Sequence, residues 1–420
     1  MLEAVCLKIL HLADLHFGKS IYGLSLLDSG DQAEWVKRFL ELAEDVKPQA
    51  VVIAGDVYDR GAPSGAAVQL LSRMLTALSQ MDIEVMVVAG NHDSAQRLSF
   101  ANALLTRQGL HISSDLYDSR ALMRVPLSDE HSVVNFWLMP YVFPTLVAQV
   151  LDMEGLRDYD TAVRELLSRQ GVDFSERNIL IAHQNVTANG VESIRGGSES
   201  MIGGVGQVEY TAFDGFDYVA LGHIHAAYPV GRDTVRYAGS PLCYHFDETR
   251  QPKKGPLLVE IGEKGAPVKI ETLTIPPLHP MREIRGPYEE ILATESANAT
   301  RGEYLRVVLT DRRIGAEERD ALAALFKTRD CKLLDFASDY VREPGLSPAL
   351  SSRDVKEKTV EQLFAEFYEA RNRGESPDEA EMALLNCAGE QLRHADTSAE
   401  PTREDVDRLL AELMRGEAEA

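Results

Sequence analysis

Five short apolar runs set the frame for what this chain can fold into: Lys8-Ile-Leu-His-Leu-Ala13, Ala50-Val-Val-Ile-Ala54, Val85-Met-Val-Val-Ala89, Ile179-Leu-Ile-Ala182 and Tyr218-Val-Ala-Leu221. Each has the length of a strand, and none alternates with polar residues. That is the pattern of strands covered on both faces. Between the first three runs lie amphipathic stretches, around 31–46 and 65–80, whose spacing predicts helices. Apolar runs alternating with such stretches are the signature of an α/β fold. No internal repeat or low-complexity tract interrupts the pattern.

Every run ends in side chains that bind metal ions. In order they are Asp14-Leu-His16, Gly55-Asp56-Val-Tyr-Asp59-Arg60, Gly90-Asn91-His92-Asp93, His183, and Gly222-His223-Ile-His225. Sites in α/β sheets form beyond the carboxyl ends of the strands, so these loops are expected to converge at one edge of the sheet. Taken singly each is commonplace; five in order point to a metal site. Carboxylate, imidazole and amide oxygen without thiolate suit Mn, Fe or Zn. Two Asp, one Asn and four His are too many donors for one ion. They suit two ions roughly 3.5–4 Å apart that share one carboxylate, polarise a phosphoryl group and activate a water for in-line attack. Gly55, Gly90 and Gly222 directly precede ligand positions, where tight turns and close backbone approach are expected. His11, His111, His131, His279 and His394 have no ligand-rich context and are read as structural.

The rest of the chain bounds the possibilities. Its 420 residues leave room for two to four domains at roughly 100–200 residues each. A composition of 45% apolar and 26% charged residues excludes a fully disordered or fibrous chain. No apolar run approaches the roughly 18–20 residues of a membrane helix, and the first residues lack a signal-peptide pattern, so no membrane is expected and the cytoplasm is the expected compartment. Cys6, Cys243, Cys331 and Cys387 include no Cys-x-x-Cys pair and are read as reduced thiols. The net charge is −23, of which residues 351–420 carry −9, so overall charge says little about a phosphate substrate at the other end. Pro276-Pro277 and Pro280 mark a boundary. The expected domains are 1–275, a small α/β module at 276–345, and a helical tail at 346–420. In the module, Tyr304–Leu309 reads as a strand, Glu317–Lys327 as a helix and Cys331–Leu334 as a second strand.

The ordered ligand series, over roughly residues 8–245, resembles the calcineurin-like metallophosphoesterases. The surrounding text is closer still to one branch. Asp14-Leu-His-Phe-Gly-Lys19, Ala89-Gly-Asn-His-Asp-Ser-Ala-Gln-Arg-Leu98, Ile202-Gly-Gly-Val-Gly-Gln-Val208, Phe216-Asp-Tyr-Val-Ala-Leu-Gly-His-Ile-His225 and Tyr237-Ala-Gly-Ser-Pro241 resemble the nuclease subunits of SbcCD-type complexes, in the double-strand-break repair nuclease family. The resemblance implies a β-sandwich flanked by helices, a small α/β capping domain and a helical C-terminal tail that holds an SbcC-type coiled-coil ATPase. It implies two divalent metal ions, Mn²⁺ preferred, with 3′–5′ exonuclease and single-strand or hairpin endonuclease activity on DNA. By the same resemblance Asp14, His16, Asp56 and His225 hold one ion, and Asp56, Asn91, His183 and His223 the other. His92 faces the scissile phosphate, and Asp93 orients it. Asp59 stands where many relatives carry a second active-site histidine, which leaves it to pair with Arg60 or with a ligating His. Lys19, Arg60, Arg97 and Arg195, with Arg250, Lys253 and Lys254, are candidates for DNA phosphate contacts. A homodimer through residues 65–80 and 95–107, within a heterotetramer, completes the family expectation. The chain has no Gly-x-x-x-x-Gly-Lys-Ser/Thr loop, so ATPase activity would come from the partner.

The competing readings are a phosphoesterase for small molecules or phosphoproteins and a non-catalytic metal-bound scaffold. The capping module and tail argue against the first. The intact Asp14, Asp56, Asn91, His92, His183, His223 and His225 set argues against the second.

Overall fold

The five runs form the strands Leu7–Leu12, Ala50–Ala54, Glu84–Val88, Arg177–His183 and Tyr218–Gly222. They do not share one sheet. The computed structural model describes residues 6–116, 121–188, 206–250 and 253–340, with single positions at 365, 368, 376, 377 and 382. Within it the first three runs lie in a six-stranded sheet ordered Lys269–Thr272, Leu257–Ile261, Leu7–Leu12, Ala50–Ala54, Glu84–Val88, Leu110–Ser113. The last two lie in a second, ordered Tyr228–Val230, Arg232–Tyr237, Tyr218–Gly222, Arg177–His183, Val133–Met139, Met123–Ser128. In each sheet four parallel strands carry antiparallel strands at the margin.

Alternate side chains along these strands serve two cores, which explains the unbroken apolar runs. Val52, Ala54, Met86 and Val88 of the first sheet meet Phe136, Leu138, Ile179, Ile181 and Ala220 of the second in one core between the sheets. Val51, Ile53, Val85 and Val87 point the other way, onto Trp35, Phe39, Leu70 and Met74 of the helices Asp31–Val46 and Gly65–Gln80. Leu180, Ala182, Val219 and Leu221 point outward onto Val147, Val163 and Leu166 of the helices Pro144–Leu151 and Tyr159–Ser168. The architecture is a β-sandwich flanked by helices. The helices start where local chemistry directs: Ser64 Oγ accepts from Ala67 N, and Asp158 accepts from Thr161 N.

A third sheet of three parallel strands, Met281–Gly286, Tyr304–Leu309 and Lys332–Ser338, follows. Parallel strands need crossovers, and the helices Tyr288–Ala297 and Ala316–Lys327 supply them. Leu305, Val307, Leu309, Leu322 and Phe326 form the core of this module. Its first strand, Met281-Arg-Glu-Ile-Arg-Gly286, carries too many charges to read as a strand in sequence. The module belongs to the same compact unit as the sandwich. Asp31, at the start of the helix Asp31–Val46, accepts from Tyr304 Oη at 2.8 Å and lies 3.0 Å from His279 Nδ1. Among the described residues no helix is long and apolar enough to cross a membrane, and Cys6, Cys243 and Cys331 are unpaired. Apart from those single positions, the helical tail expected at 346–420 lies outside the described residues.

Candidate metal centre

The ligand loops leave the carboxyl ends of three strands in the first sheet and two in the second, and they meet where the two sheets abut. Asp56 is at the middle. Its Oδ1 accepts from His92 N at 2.9 Å, which turns Oδ2 toward the imidazoles. Oδ2 then lies 3.4 Å from His183 Nε2, 3.6 Å from His16 Nε2 and 4.0 Å from His92 Nε2. On one side His16 Nε2 and His225 Nε2 stand 3.2 Å apart. On the other, Asn91 Oδ1 lies 3.0 Å from His183 Nε2 and 3.2 Å from His223 Nδ1. The Asp14 carboxylate accepts from His223 N at 3.0 Å. The structure thus brings together Asp14, His16, Asp56, Asn91, His92, His183, His223 and His225.

The backbone is bent to achieve this. Asp14, His16, Asp56 and His223 have φ of 54°, 42°, 50° and 105°, in the left-handed region that side chains avoid. Such conformations cost on the order of 1–3 kcal/mol each and gather at functional sites. Glycine is required beside them. A Cβ on Gly90 would stand 2.1 Å from Asp56 Oδ1, and one on Gly55, itself at φ 87°, would stand 2.2 Å from His183 Nδ1.

The donor set fits divalent ions. Asp14, His16 and His225 each offer a ligand atom within 4.8 Å of the others, and so do Asp14, Asp56 and His183. Burial holds His16 well below the usual imidazole range and His223 down to about 3, so both present neutral lone pairs. Burial would also push His183 down, but the Asp56 carboxylate more than reverses this, to about 9. Burial pushes Asp14 up to about 6. A buried cluster whose carboxylates and imidazoles compete for too little positive charge is what a divalent cation neutralises.

Residues 7–227 match the family model described as calcineurin-like phosphoesterase. The chain belongs to that family. Residues 277–372 match a second model, described as the type 5 capsule protein repressor C-terminal domain. Two curated relatives are named as the D component of the nuclease SbcCD. The protein of Staphylococcus saprophyticus is 32% identical over 308 residues, covering 72% of this chain and 78% of the relative. That of Staphylococcus epidermidis is 31% identical over 311 residues, covering 73% and 79%. This phosphoesterase therefore sits in the SbcD branch.

Within the phosphoesterase site one expected role changes hands. Asp93 does not orient His92. Its carboxylate accepts backbone N–H groups from Val57, Tyr58 and Gly90 at 3.1, 2.9 and 2.9 Å, stapling two ligand loops together. The ring of His92 is oriented by the carbonyl oxygen of Asp59, 2.9 Å from Nδ1, which leaves Nε2 facing the centre. Lys19 Nζ donates to Asp59 Oδ1 at 2.7 Å. Arg97 donates to Gly61 O at 2.8 Å, and Arg60 keeps its side chain 83% exposed. Arg195 lies outside the described residues. The histidines read as structural find partners away from the centre: His11 with Tyr218, His111 with Glu84, His131 with Glu263 and His279 with Asp31; His394 lies outside the described residues.

Sequence reasoning missed Tyr244 and Glu248. Tyr244 packs edge-on against His16 and His225 and donates from its hydroxyl to Leu15 O at 2.7 Å. Glu248, 2% exposed, lies 3.3 Å from His225 Nδ1. Neither has a fixed spacing from a ligand; the nearest signal is the Tyr237–Pro241 segment just upstream.

Proposed function

We propose that this chain is the nuclease subunit of an SbcCD-type complex, a cytoplasmic metal-dependent enzyme that hydrolyses DNA phosphodiesters. Its activities are 3′–5′ exonuclease and single-strand or hairpin endonuclease. The observation that carries the reading is Asp56 Oδ2, one carboxylate oxygen standing 3.4 Å and 3.6 Å from imidazole nitrogens of two separate ligand groups. We assign Asp14, His16, Asp56 and His225 to one divalent ion and Asp56, Asn91, His183 and His223 to the other, Mn²⁺ by preference. Ions held there would supply Lewis-acid polarisation of the phosphoryl group and an activated water. The residues do the rest. Asp56 is clamped by His92 N–H so that one oxygen faces inward. His92 is the most open of the site imidazoles, with its side chain 41% exposed. It carries the proton that a leaving oxygen needs, at Nε2. Arg60, Arg97 and Arg195 would contact flanking phosphates. The tail at 346–420 binds an SbcC-type coiled-coil ATPase, and residues 65–80 and 95–107 pair two copies within a heterotetramer. The domains run 1–275, 276–345 and 346–420. The SbcCD branch of the two relatives supports these assignments.

The test is cleavage of a single-stranded and a hairpin oligonucleotide by the purified chain with Mn²⁺, with Mg²⁺ and with chelator. Mn²⁺-dependent cleavage that is lost in His92→Ala is expected. Metal-dependent turnover of a small phosphodiester with no DNA cleavage would replace the reading with a small-molecule phosphoesterase.

A further inference from the structure

Two lysines that sequence reasoning offered to DNA are turned inward. Lys19 Nζ donates to Asp59 Oδ1 at 2.7 Å, and that oxygen lies 3.5 Å from His16 Nδ1. Lys254 Nζ sits 2.8 Å from Glu248 Oε2, and the other Glu248 oxygen lies 3.3 Å from His225 Nδ1. Both lysine side chains are largely covered, 17% and 11% exposed. Lys254 also donates to Ser240 Oγ and to His225 O at 2.7 and 2.9 Å, so it grips the ligand loop as well as the carboxylate. The Tyr244 ring lies between the two assemblies, 5.5 Å from the His16 ring and 5.3 Å from the His225 ring.

We propose that Lys254–Glu248, hydrogen-bonded to His225, and Lys19–Asp59, which faces the otherwise unpartnered His16 Nδ1 across 3.5 Å, are unequal supports that favour the Nδ1–H tautomers of the two imidazoles, and so set the cation affinity of the one site those imidazoles share. The inference rests on the metal assignment above. A carboxylate accepts but does not donate, so a proton on each Nδ1 leaves both Nε2 lone pairs directed inward. Those two nitrogens stand 3.2 Å apart, where two lone pairs repel unless a cation lies against both. The lysines have their own part. Asp14 and Asp56 already place two carboxylates in this buried pocket. Two more without counter-charge would be costly there and would themselves compete for the ion. An ammonium on each offsets the charge of Asp59 and Glu248 and holds them behind the imidazoles. Asp59 thereby faces two imidazoles, His16 across 3.5 Å from its carboxylate and His92 through a hydrogen bond to its carbonyl.

The experiment is Mn²⁺ titration of the full chain, following the free-ion electron paramagnetic resonance signal. The wild type should show two sites. Asp59→Ala keeps the carbonyl that orients His92. Glu248→Met/Lys254→Met removes the second support without leaving a buried charge unpaired. Each variant should weaken one site by about 10–100-fold and spare the other, and both should strike the same site. Glu248→Gln, which retains an acceptor oxygen, should lose less than the double variant. Folded variants with both affinities unchanged, or with both lowered alike, would overturn the supports. A wild-type chain that binds no Mn²⁺ would instead overturn the metal assignment.

Discussion

His11 and His183 are the same side chain in two buried settings, and the difference lies in the charges around them. His11 faces the core between the sheets and has the Tyr218 hydroxyl 2.9 Å from Nδ1. Burial, with the charge of Arg236 adding to it, pushes His11 down to about 3. His183 has Asp56 against it and rises to about 9. For His11 the consequence is a pH dependence of stability. Between its ordinary value near 6.5 and about 3, the unfolded chain holds a proton that the folded chain refuses. Stability therefore falls as pH drops through that window, by about 1.4 kcal/mol per pH unit from this group. Urea unfolding of wild type and His11→Gln at several pH values isolates the effect, since other groups cancel in the difference. The gap between the two curves should change with that slope below pH 6; parallel curves would mean that His11 titrates alike in both states. At the metal centre, Asp56→Ala should abolish Mn²⁺ binding and cleavage together. His92→Ala should keep the metal and lose on the order of 10²–10⁴ in rate, the usual contribution of a positioned acid, by single-turnover assay with bound Mn²⁺ counted in parallel.

At the scale of elements, strand ends were legible because chemistry and packing coincide there. A strand buried on both faces must be apolar, so the polar residue that ends each run stands out. The runs did not tell which sheet each joins. Val52 and Ile181 read identically in sequence, yet they meet across the sandwich from opposite sheets. Parallel pairing is set by crossover geometry, which leaves no mark on the strands themselves. Support residues were illegible for a related reason. Glu248 reaches His225 through a short helical turn at Phe246–Arg250, with no spacing that a motif could encode. The glycines were readable, and they can be tested. Gly90→Ala drives a Cβ to 2.1 Å from Asp56 Oδ1 and 2.4 Å from Asp56 N, so the Asp56 carboxylate must shift. Loss of Mn²⁺ affinity is expected with the fold retained. Gly65→Ala is the control: its Cβ meets nothing within 4 Å, and it opens the helix Gly65–Gln80. There the substitution should leave metal binding intact and be neutral or stabilising by up to about 1 kcal/mol in thermal unfolding.

At the scale of the molecule, the small module meets the sandwich through a polar cluster and through Tyr304, Met281 and Leu334, which join the core around Trp35 and Phe39. Asp31 is 2% exposed and receives bonds from Ser29 Oγ at 2.6 Å, Tyr304 Oη at 2.8 Å and His279 N at 3.3 Å. The His279 ring stacks on Tyr304 at 4.7 Å, and Arg38, farther along the same helix, donates to Pro276 O at 2.6 Å. Nearly every polar tie thus converges on the helix Asp31–Val46, whose N-terminal dipole also favours the Asp31 charge. The sequence marked the prolines of this joint but not its partner, because Asp31 and Tyr304 lie 273 residues apart. Tyr304→Phe removes one bond to a buried charge and keeps the ring. It should cost about 1.5–3 kcal/mol, measured by urea unfolding. The sharper consequence is local. If the cluster is what fastens the module, hydrogen exchange in Tyr304→Phe should accelerate across Pro276–Gly286 and in the first turn of Asp31–Val46. The strands Ala50–Ala54 and Arg177–His183 should keep their protection. Uniform acceleration through both sheets would mean that the module and the sandwich unfold as one unit, with Asp31 contributing to global stability and not to the joint.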